Sequence, residues 1–287
     1  MRAAALGYVL SIKELSIVDL QLSGKRALVT GSSIGIGEAI ARVLAAEGAA
    51  AAVHGRERER AERVAGEIVA AGGRAVVVLG DLTRDDEVKR VAGEAGRLLG
   101  GVDILVNNAG GSGEKQVWEE TPASDWAAAY DRNVLAAVRI TDCLLPRMRA
   151  ARWGRVVNVS SVAGLMPAAT GPDYSACKAA LNNLTVSLSK AAAGDGVTVN
   201  AVSPGAVLTP KLEAAFRKMA DANGWADGKA TWPEVEQAVL PRVVQVPLGK
   251  VGNVDDVANA VAFLCSPLAG YITGVNLRVD GGVLPTL

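Results

Sequence analysis

Short apolar runs alternate with amphipathic stretches along most of this chain, and from residue 25 the alternation is regular. Ala27-Leu28-Val29 reads as a buried strand ending in Thr30-Gly31, with a helical run over 35–47 behind it. A second strand at 50–53 precedes a charged amphipathic helix over 57–71, and a third at 75–79 stops at Asp81 before a helix that reaches 99. A fourth strand covers 103–106. Thr121-Pro122 has the form of an N-cap followed by a first-turn proline, opening a long helix that runs to 150. The fifth strand covers 155–159, a helix carrying Tyr174 reaches 193, and the sixth strand covers 197–201. A helix over 255–265 and a seventh strand at 275–279 complete the pattern. Continuous apolar strands separated by helices of ten or more residues predict a parallel sheet covered on both faces. The expected architecture is α/β, one doubly wound domain over 20–287 with seven parallel strands.

Two stretches break the rhythm. Residues 207–252 carry Phe216, Met219, Trp225 and Trp232 among charges and glycines, too long for an ordinary connection. Such a segment over the carboxyl end of a sheet reads as a substrate lid or wall, with a helical hairpin that only aids packing as the alternative. Residues 1–19 differ from the rest in character and read as a flexible extension, or as a start upstream of the true one. Their apolar core is too short for a signal peptide, and no small-residue cleavage site follows.

Composition narrows the function classes. Lys+Arg and Asp+Glu are equal at 30 each, so no global field favours nucleic acid or an anionic membrane, and neither is expected as a partner. No run of 18 apolar residues predicts a membrane span. Three scattered cysteines, Cys143, Cys177 and Cys265, without C-x-x-C spacing point to free thiols in a reducing, cytoplasmic compartment. Cys177 reads as a small buried residue and not as a nucleophile. His54, the only histidine, reads as a strand-end spacer, and no metal site can be built from it.

The candidate chemistry begins with Tyr174 and Lys178. At i and i+4 they share one helix face, so the ammonium can sit near the phenol. A nearby positive charge favours the phenolate and makes the tyrosine a usable acid or base. Thr30-Gly31-Ser32-Ser33-Ile34-Gly35-Ile36-Gly37 lies where the first strand turns into the first helix. Glycines there permit a tight turn and bring backbone N–H groups to a pyrophosphate at a helix N-terminus, so Gly31, Ser33, Ile34, Gly35, Ile36 and Gly37 are candidate dinucleotide-binding residues.

With this turn, Asn107-Asn108-Ala109-Gly110 after the fourth strand, Ser161, the Tyr174/Lys178 pair and Pro204-Gly205 after the sixth strand, the chain resembles the classical short-chain dehydrogenase/reductase family, of Rossmann type, over roughly 20–284. The resemblance implies a catalytic set of Asn133, Ser161, Tyr174 and Lys178. Tyr174 would exchange the proton with the substrate oxygen. Lys178 would lower the tyrosine pKa and hold the nicotinamide ribose. Ser161, thirteen positions before Tyr174, would hydrogen-bond the substrate oxygen, its neighbour Ser160 pointing to the other side of the strand end. Asn133, within the long helix, would anchor a proton-relay water. For the cofactor the resemblance implies Asp81 and Leu82 at the adenine, Asn108 with Ala109 and Gly110 along the cleft, and Val207 and Thr209, after Pro204-Gly205, at the carboxamide.

Cofactor choice turns on the end of the second strand, His54-Gly55-Arg56. No acidic residue stands there to accept a ribose 2′-hydroxyl, and Arg56 can contact a 2′-phosphate, which favours NADP(H) over NAD(H). Ile34, where many NADP-using relatives carry a basic residue, and Glu57 count against it. The expected activity is reduction of a ketone or oxidation of the matching secondary alcohol. Within the family the chain looks most like the 3-oxoacyl reductase type, polyketide-like substrates included, with NAD-dependent alcohol, sugar or steroid dehydrogenases as the alternative. From another class comes a catalytically silent dinucleotide-binding sensor or scaffold. The family resemblance also implies a homotetramer.

Overall fold

A computed structural model describes residues 19–113 and 116–285. The extension expected at 1–19 lies, apart from Asp19, outside the described residues. Seven strands form one parallel sheet in the order β3-β2-β1-β4-β5-β6-β7: β1 Arg26–Val29, β2 Ala50–Gly55, β3 Arg74–Leu79, β4 Ile104–Asn107, β5 Gly154–Val159, β6 Val197–Pro204 and β7 Asn276–Val279. Between them run α1 Gly35–Ala46, α2 Arg58–Ala70, α3 Asp85–Leu99, α4 Ala123–Tyr130, α5 Ala136–Ala150, α6 Pro172–Ala192, α7 Pro210–Asn223, α8 Trp232–Val243 and α9 Val254–Cys265.

The period-two geometry of a strand splits the apolar run of each into two cores. Ala27 and Val29 face one side, where α1, α2 and α9 supply Ile40, Leu44, Val64, Ile68, Val257 and Val261. Leu28 faces the other, under Val91 of α3 and Ile140 and Met148 of α5. Every one of these side chains is at most 3% exposed. Because both faces are covered, an uninterrupted hydrophobic run is the pattern such strands need.

Several sequence expectations change in detail. Thr121 is not the N-cap of the long helix: Pro122 stands at that position with φ −69°, and the helix begins at Ala123. The Thr121 hydroxyl instead donates to the Val117 carbonyl at 2.8 Å, closing the preceding short turn. The helix expected to run unbroken to 150 contains a π-helical segment, Asp131–Leu135, between α4 and α5. That insertion holds Asn133, and π-bulges concentrate where a helix must aim a side chain. Asp81 does not lead directly into α3, because its carboxylate accepts the Thr83 N–H and hydroxyl at 3.0 and 2.8 Å and delays the helix to Asp85. The 207–252 segment holds two helices, α7 and α8, packed around their own small core of Phe216, Ala220, Val235, Val239, Leu240 and Val251.

A buried polar chain crosses the middle of the second core. Asn107 Nδ2 donates to Asn158 Oδ1 at 2.9 Å and to Thr141 Oγ1 at 3.1 Å, and Asn158 Nδ2 donates to Thr185 Oγ1 at 2.8 Å. This ties β4 and β5 to α5 and α6 below the carboxyl ends of the strands. Replacing Asn158 with leucine keeps the branched outline in a somewhat larger side chain but leaves the Asn107 amide and the Thr185 hydroxyl without these partners. The expected result is a loss of about 1–3 kcal/mol of stability, read as a lowered urea midpoint at unchanged slope.

Candidate active site

The order of the sheet reverses between β1 and β4, and helices leave these two strands toward opposite faces, so a crevice opens beyond their carboxyl ends. The first wall is the turn between β1 and α1. Gly31 N–H donates to His54 Nδ1 at 3.0 Å, and Ser32 N–H donates to the His54 carbonyl at 2.8 Å. Across the crevice the loop after β4 is bolted to this turn. The Thr30 hydroxyl accepts the N–H groups of Asn108 and Ala109, both at 3.0 Å, and Asn108 Nδ2 donates to the carbonyls of Thr30 and Gly31 at 2.9 and 3.0 Å. Gly37 faces this bolt from α1. A Cβ there would lie 2.3 Å from Asn108 Nδ2 and 2.4 Å from the Gly31 oxygen, so only glycine fits the approach.

The resulting cleft is about 840 Å³. Gly31, Ser33, Ile34, Gly35, Ile36 and Gly37 line its first wall. Arg56, Asp81 and Leu82 close one end, and Asn108, Ala109 and Gly110 run along the loop after β4. Pro204, Gly205 and Thr209 form the side below α7. Arg56 is 77% exposed, its Nη1 3.8 Å from Asp81 Oδ2. The Thr83 N–H holds the Asp81 carboxyl below its usual range, with smaller help from Arg56.

At the other end stand Ser161, Tyr174 and Lys178. The helix α6 begins after Gly171 and puts Tyr174 in its first turn, with Lys178 one turn deeper. Lys178 is buried, and its Nζ donates to the Val159 carbonyl at 2.8 Å while lying 5.5 Å from the Tyr174 ring centre. Burial pushes this ammonium down to about 8. It also raises the Tyr174 phenol above its usual value, a hydrogen bond with Ser161 opposing the rise. Burial thus works against charge on both partners. Among the described contacts the downward pull on the phenol comes from Ser161, whereas the sequence pattern assigns that part to Lys178. The Ser161 hydroxyl also accepts the Ala163 N–H at 3.2 Å. Ser160 borders the cleft as well, but its hydroxyl is turned to α6 and donates to the Lys178 carbonyl at 3.2 Å.

Two expected site residues do not line the cleft. Val207 is 5% exposed, packed in the sheet core and bridged to Gly252. Asn133 lies behind the loop, its Oδ1 accepting the Gly111 N–H at 2.8 Å and its Nδ2 donating to the carbonyls of Gly111 and Ala129 at 3.1 and 2.9 Å. Both its polar atoms are spent on backbone, so the side chain acts as a strut under the Gly110–Gly111 turn. Lys211, which carried no signal in the sequence, does line the cleft and spans it, donating to Ser112 O at 2.8 Å and Oγ at 3.1 Å. Cys177 is 2% exposed, and burial raises its thiol to about 11. Among the described residues no group of His, Cys, Asp and Glu could hold a metal ion, and no helix is long and apolar enough to cross a membrane.

A family model described as short chain dehydrogenase matches residues 25–220. A 3-oxoacyl-[acyl-carrier-protein] reductase of Aquifex aeolicus is 37% identical over 93% of this chain and 100% of its own length. The structure of L-sorbose reductase from Gluconobacter frateurii, complexed with NADPH and L-sorbose, superposes with a TM-score of 0.87 at 34% identity, over 94% of this chain and 100% of that one. A 7α-hydroxysteroid dehydrogenase complexed with NADH and 7-oxo glycochenodeoxycholic acid gives 0.81 at 33% identity, over 94% and 98%.

The buried ammonium makes a pH prediction. With its folded pKa near 8 and an ordinary value of 10.5, Lys178 holds fewer protons folded than unfolded between those limits. Stability therefore rises with pH across that window on account of this group. Relative to Lys178→Met, the wild-type protein should gain stability from about pH 8 to about 10.5 and show a flat difference below about pH 7, as read by denaturant unfolding at each pH. A difference curve that falls over the window would contradict the burial argument.

Proposed function

We propose that this chain, which belongs to the short-chain dehydrogenase family and is an oxidoreductase acting on CH–OH and C=O groups, prefers NADP(H) and reduces a 3-oxoacyl or polyketide-like ketone. The observation that carries the reading is the meeting of the glycine-lined wall and the Ser161–Tyr174–Lys178 group in one continuous cleft. A dinucleotide fits the donor set: the wall at Gly31–Gly37 stands at the N-terminus of α1, and Gly37 keeps that wall close and flat. The nicotinamide, when bound, supplies or accepts the hydride.

The protein's own part is placement and proton transfer. Tyr174, a phenol protonated at neutral pH with or without the upward push of burial, gives the Oη proton to the carbonyl oxygen in the reductive direction. The Ser161 hydroxyl donates to the same oxygen as negative charge develops there. Lys178 keeps one N–H on the Val159 carbonyl, which leaves its remaining donors for the ribose hydroxyls and its charge beside the phenol. Asn133 stiffens the loop through Gly111. Lys211 and α7 close the cleft from above, so the 207–252 segment serves as lid and substrate wall.

Preference for NADP(H) rests on Arg56, exposed at the adenine end of the cleft and steered by Asp81. The sorbose reductase complexed with NADPH supports it, whereas the hydroxysteroid dehydrogenase complexed with NADH supports an NAD(H)-dependent alternative on a sugar or steroid. The acyl substrate rests on the Aquifex relative. One assay addresses all three: nicotinamide absorbance with NADPH and with NADH against an acyl thioester, a steroid, a sugar and a cyclic ketone. NADPH oxidation with the thioester is expected. Tyr174→Phe should lower kcat by about 10²–10⁴-fold with nucleotide binding retained. Arg56→Glu should weaken NADPH about 10- to 100-fold and leave NADH within about threefold. Nucleotide binding without turnover of any ketone or alcohol would favour the silent sensor.

The assembly reading is a homotetramer. Ala176 and Ala179 lie exposed on α6, where small side chains let a second copy of the helix approach closely. Light scattering should return four subunit masses; one subunit mass would remove the reading.

A further inference from the structure

We propose that His54 is a positioning residue for the nucleotide cleft, its neutral imidazole bracing the turn after β1 against the end of β3. The inference rests on the reading of that cleft as a dinucleotide site. His54 lies in β2, the strand between the two elements it joins, and is 3% exposed. All four of its polar atoms are engaged. Its backbone N–H donates to Ser32 Oγ at 2.9 Å, and its carbonyl accepts the Ser32 N–H at 2.8 Å. Its Nδ1 accepts the Gly31 N–H at 3.0 Å, and its Nε2 lies 3.1 Å from the Gly80 carbonyl.

These contacts fix the tautomer. A carbonyl can only accept, so the proton sits on Nε2, and Nδ1 is left bare for the Gly31 N–H. A protonated ring would set N–H against N–H at the turn. Burial keeps that form away by pushing the imidazole down to about 4, an effect that the Gly80 carbonyl and Asp81 oppose and Arg90 reinforces. The residue therefore works as a fixed acceptor on one side and a fixed donor on the other.

What it joins matters for the cleft. Gly31 has φ +64° and opens the glycine-rich wall, while Gly80 immediately precedes Asp81 and Leu82, which with Arg56 close one end of the cleft. The next residue continues the support: a Cβ on Gly55 would lie 2.7 Å from Ser33 Oγ, so the turn rests directly on β2. Beyond the ladders of β1, β2 and β3, the ring thus adds a side-chain bridge between the two binding walls. A leucine or valine, the ordinary occupant of a buried strand, would pack there but would leave the Gly31 N–H and Gly80 carbonyl unpaired.

Substitution can separate the two bonds. In His54→Asn the new amide oxygen stands where Nδ1 does and can accept from Gly31, but the side chain does not reach Gly80. His54→Gln reaches Gly80 and not Gly31, and His54→Phe fills the volume with neither bond. Calorimetric titration with NADPH and with NADH, beside thermal unfolding and kcat at saturating nucleotide, tests the role. His54→Phe and His54→Gln should weaken the nucleotide that the wild type binds about tenfold, with kcat within about twofold. His54→Asn should restore the affinity to within about threefold although it, too, loses a bond and melts earlier. Affinity that follows melting temperature across the three variants, or Phe and Gln variants that bind like wild type, would overturn the positioning role alone. A wild-type protein that binds neither nucleotide would overturn the dinucleotide reading with it, and the Asn/Gln pair keeps the test decisive if the Phe variant does not fold.

Discussion

The Thr30 hydroxyl holds together the part of the molecule on which the rest of the site depends. Past the ends of β1 and β4 the N–H groups of Thr30 and Asn108 still reach the Val106 carbonyl, at 2.9 and 3.1 Å, but the loop beyond must stay folded at the base of an open crevice. Buried N–H groups left unpaired there would cost about 1–3 kcal/mol each. Thr30 Oγ1 accepts two of them, from Asn108 and Ala109, and donates to the Val106 carbonyl at 3.2 Å. Asn108 returns two bonds to the carbonyls of Thr30 and Gly31. The sheet opens where its strand order reverses, and this exchange keeps the opening at a fixed width.

The reactive end obeys a different constraint. Tyr174 and Lys178 are brought together by the helix, but the depth that brings them to the strand ends also removes water from both. Low dielectric penalises charge on either, so the phenol rises and the ammonium falls. Among the described residues the Val159 carbonyl accepts a hydrogen bond from the ammonium. The arrangement therefore carries a stability cost below about pH 8 that a methionine at the same place would not. Such a cost is common where a group is held for chemistry and not for packing.

The fold was largely legible because buried parallel strands announce themselves as apolar runs and the helices between them as amphipathic ones. All seven strands fall where expected, with ends moved by one to three residues. Differences of detail came from residues whose partners lie elsewhere than the local pattern implies. Thr121 has the composition of a cap, but its hydroxyl finds Val117 first. Val207 follows the Pro-Gly turn as expected, yet the bridge to Gly252 draws it into the core. His54 has the look of a spacer because its two ring partners, Gly31 and Gly80, are 23 and 26 residues away. No local pattern records such contacts.

The difference between a readable reaction and an unreadable substrate has the same physical origin. The nucleotide wall is made of backbone and small side chains fixed to the central strands, so its geometry follows from the sheet. The segment over the reactive end packs differently: α7 and α8 bury Phe216, Val235, Val239 and Leu240 in a core of their own. Val207, packed into the sheet core, and the Lys211–Ser112 contact are two of the points where this segment meets the rest. Residues in that core answer first to each other. A change of shape there can alter what the cleft admits while leaving Ser161, Tyr174 and Lys178 on their own elements. In the proposed reading, reaction class and substrate class thus rest on different cores, and only the first of the two is dictated by the sheet.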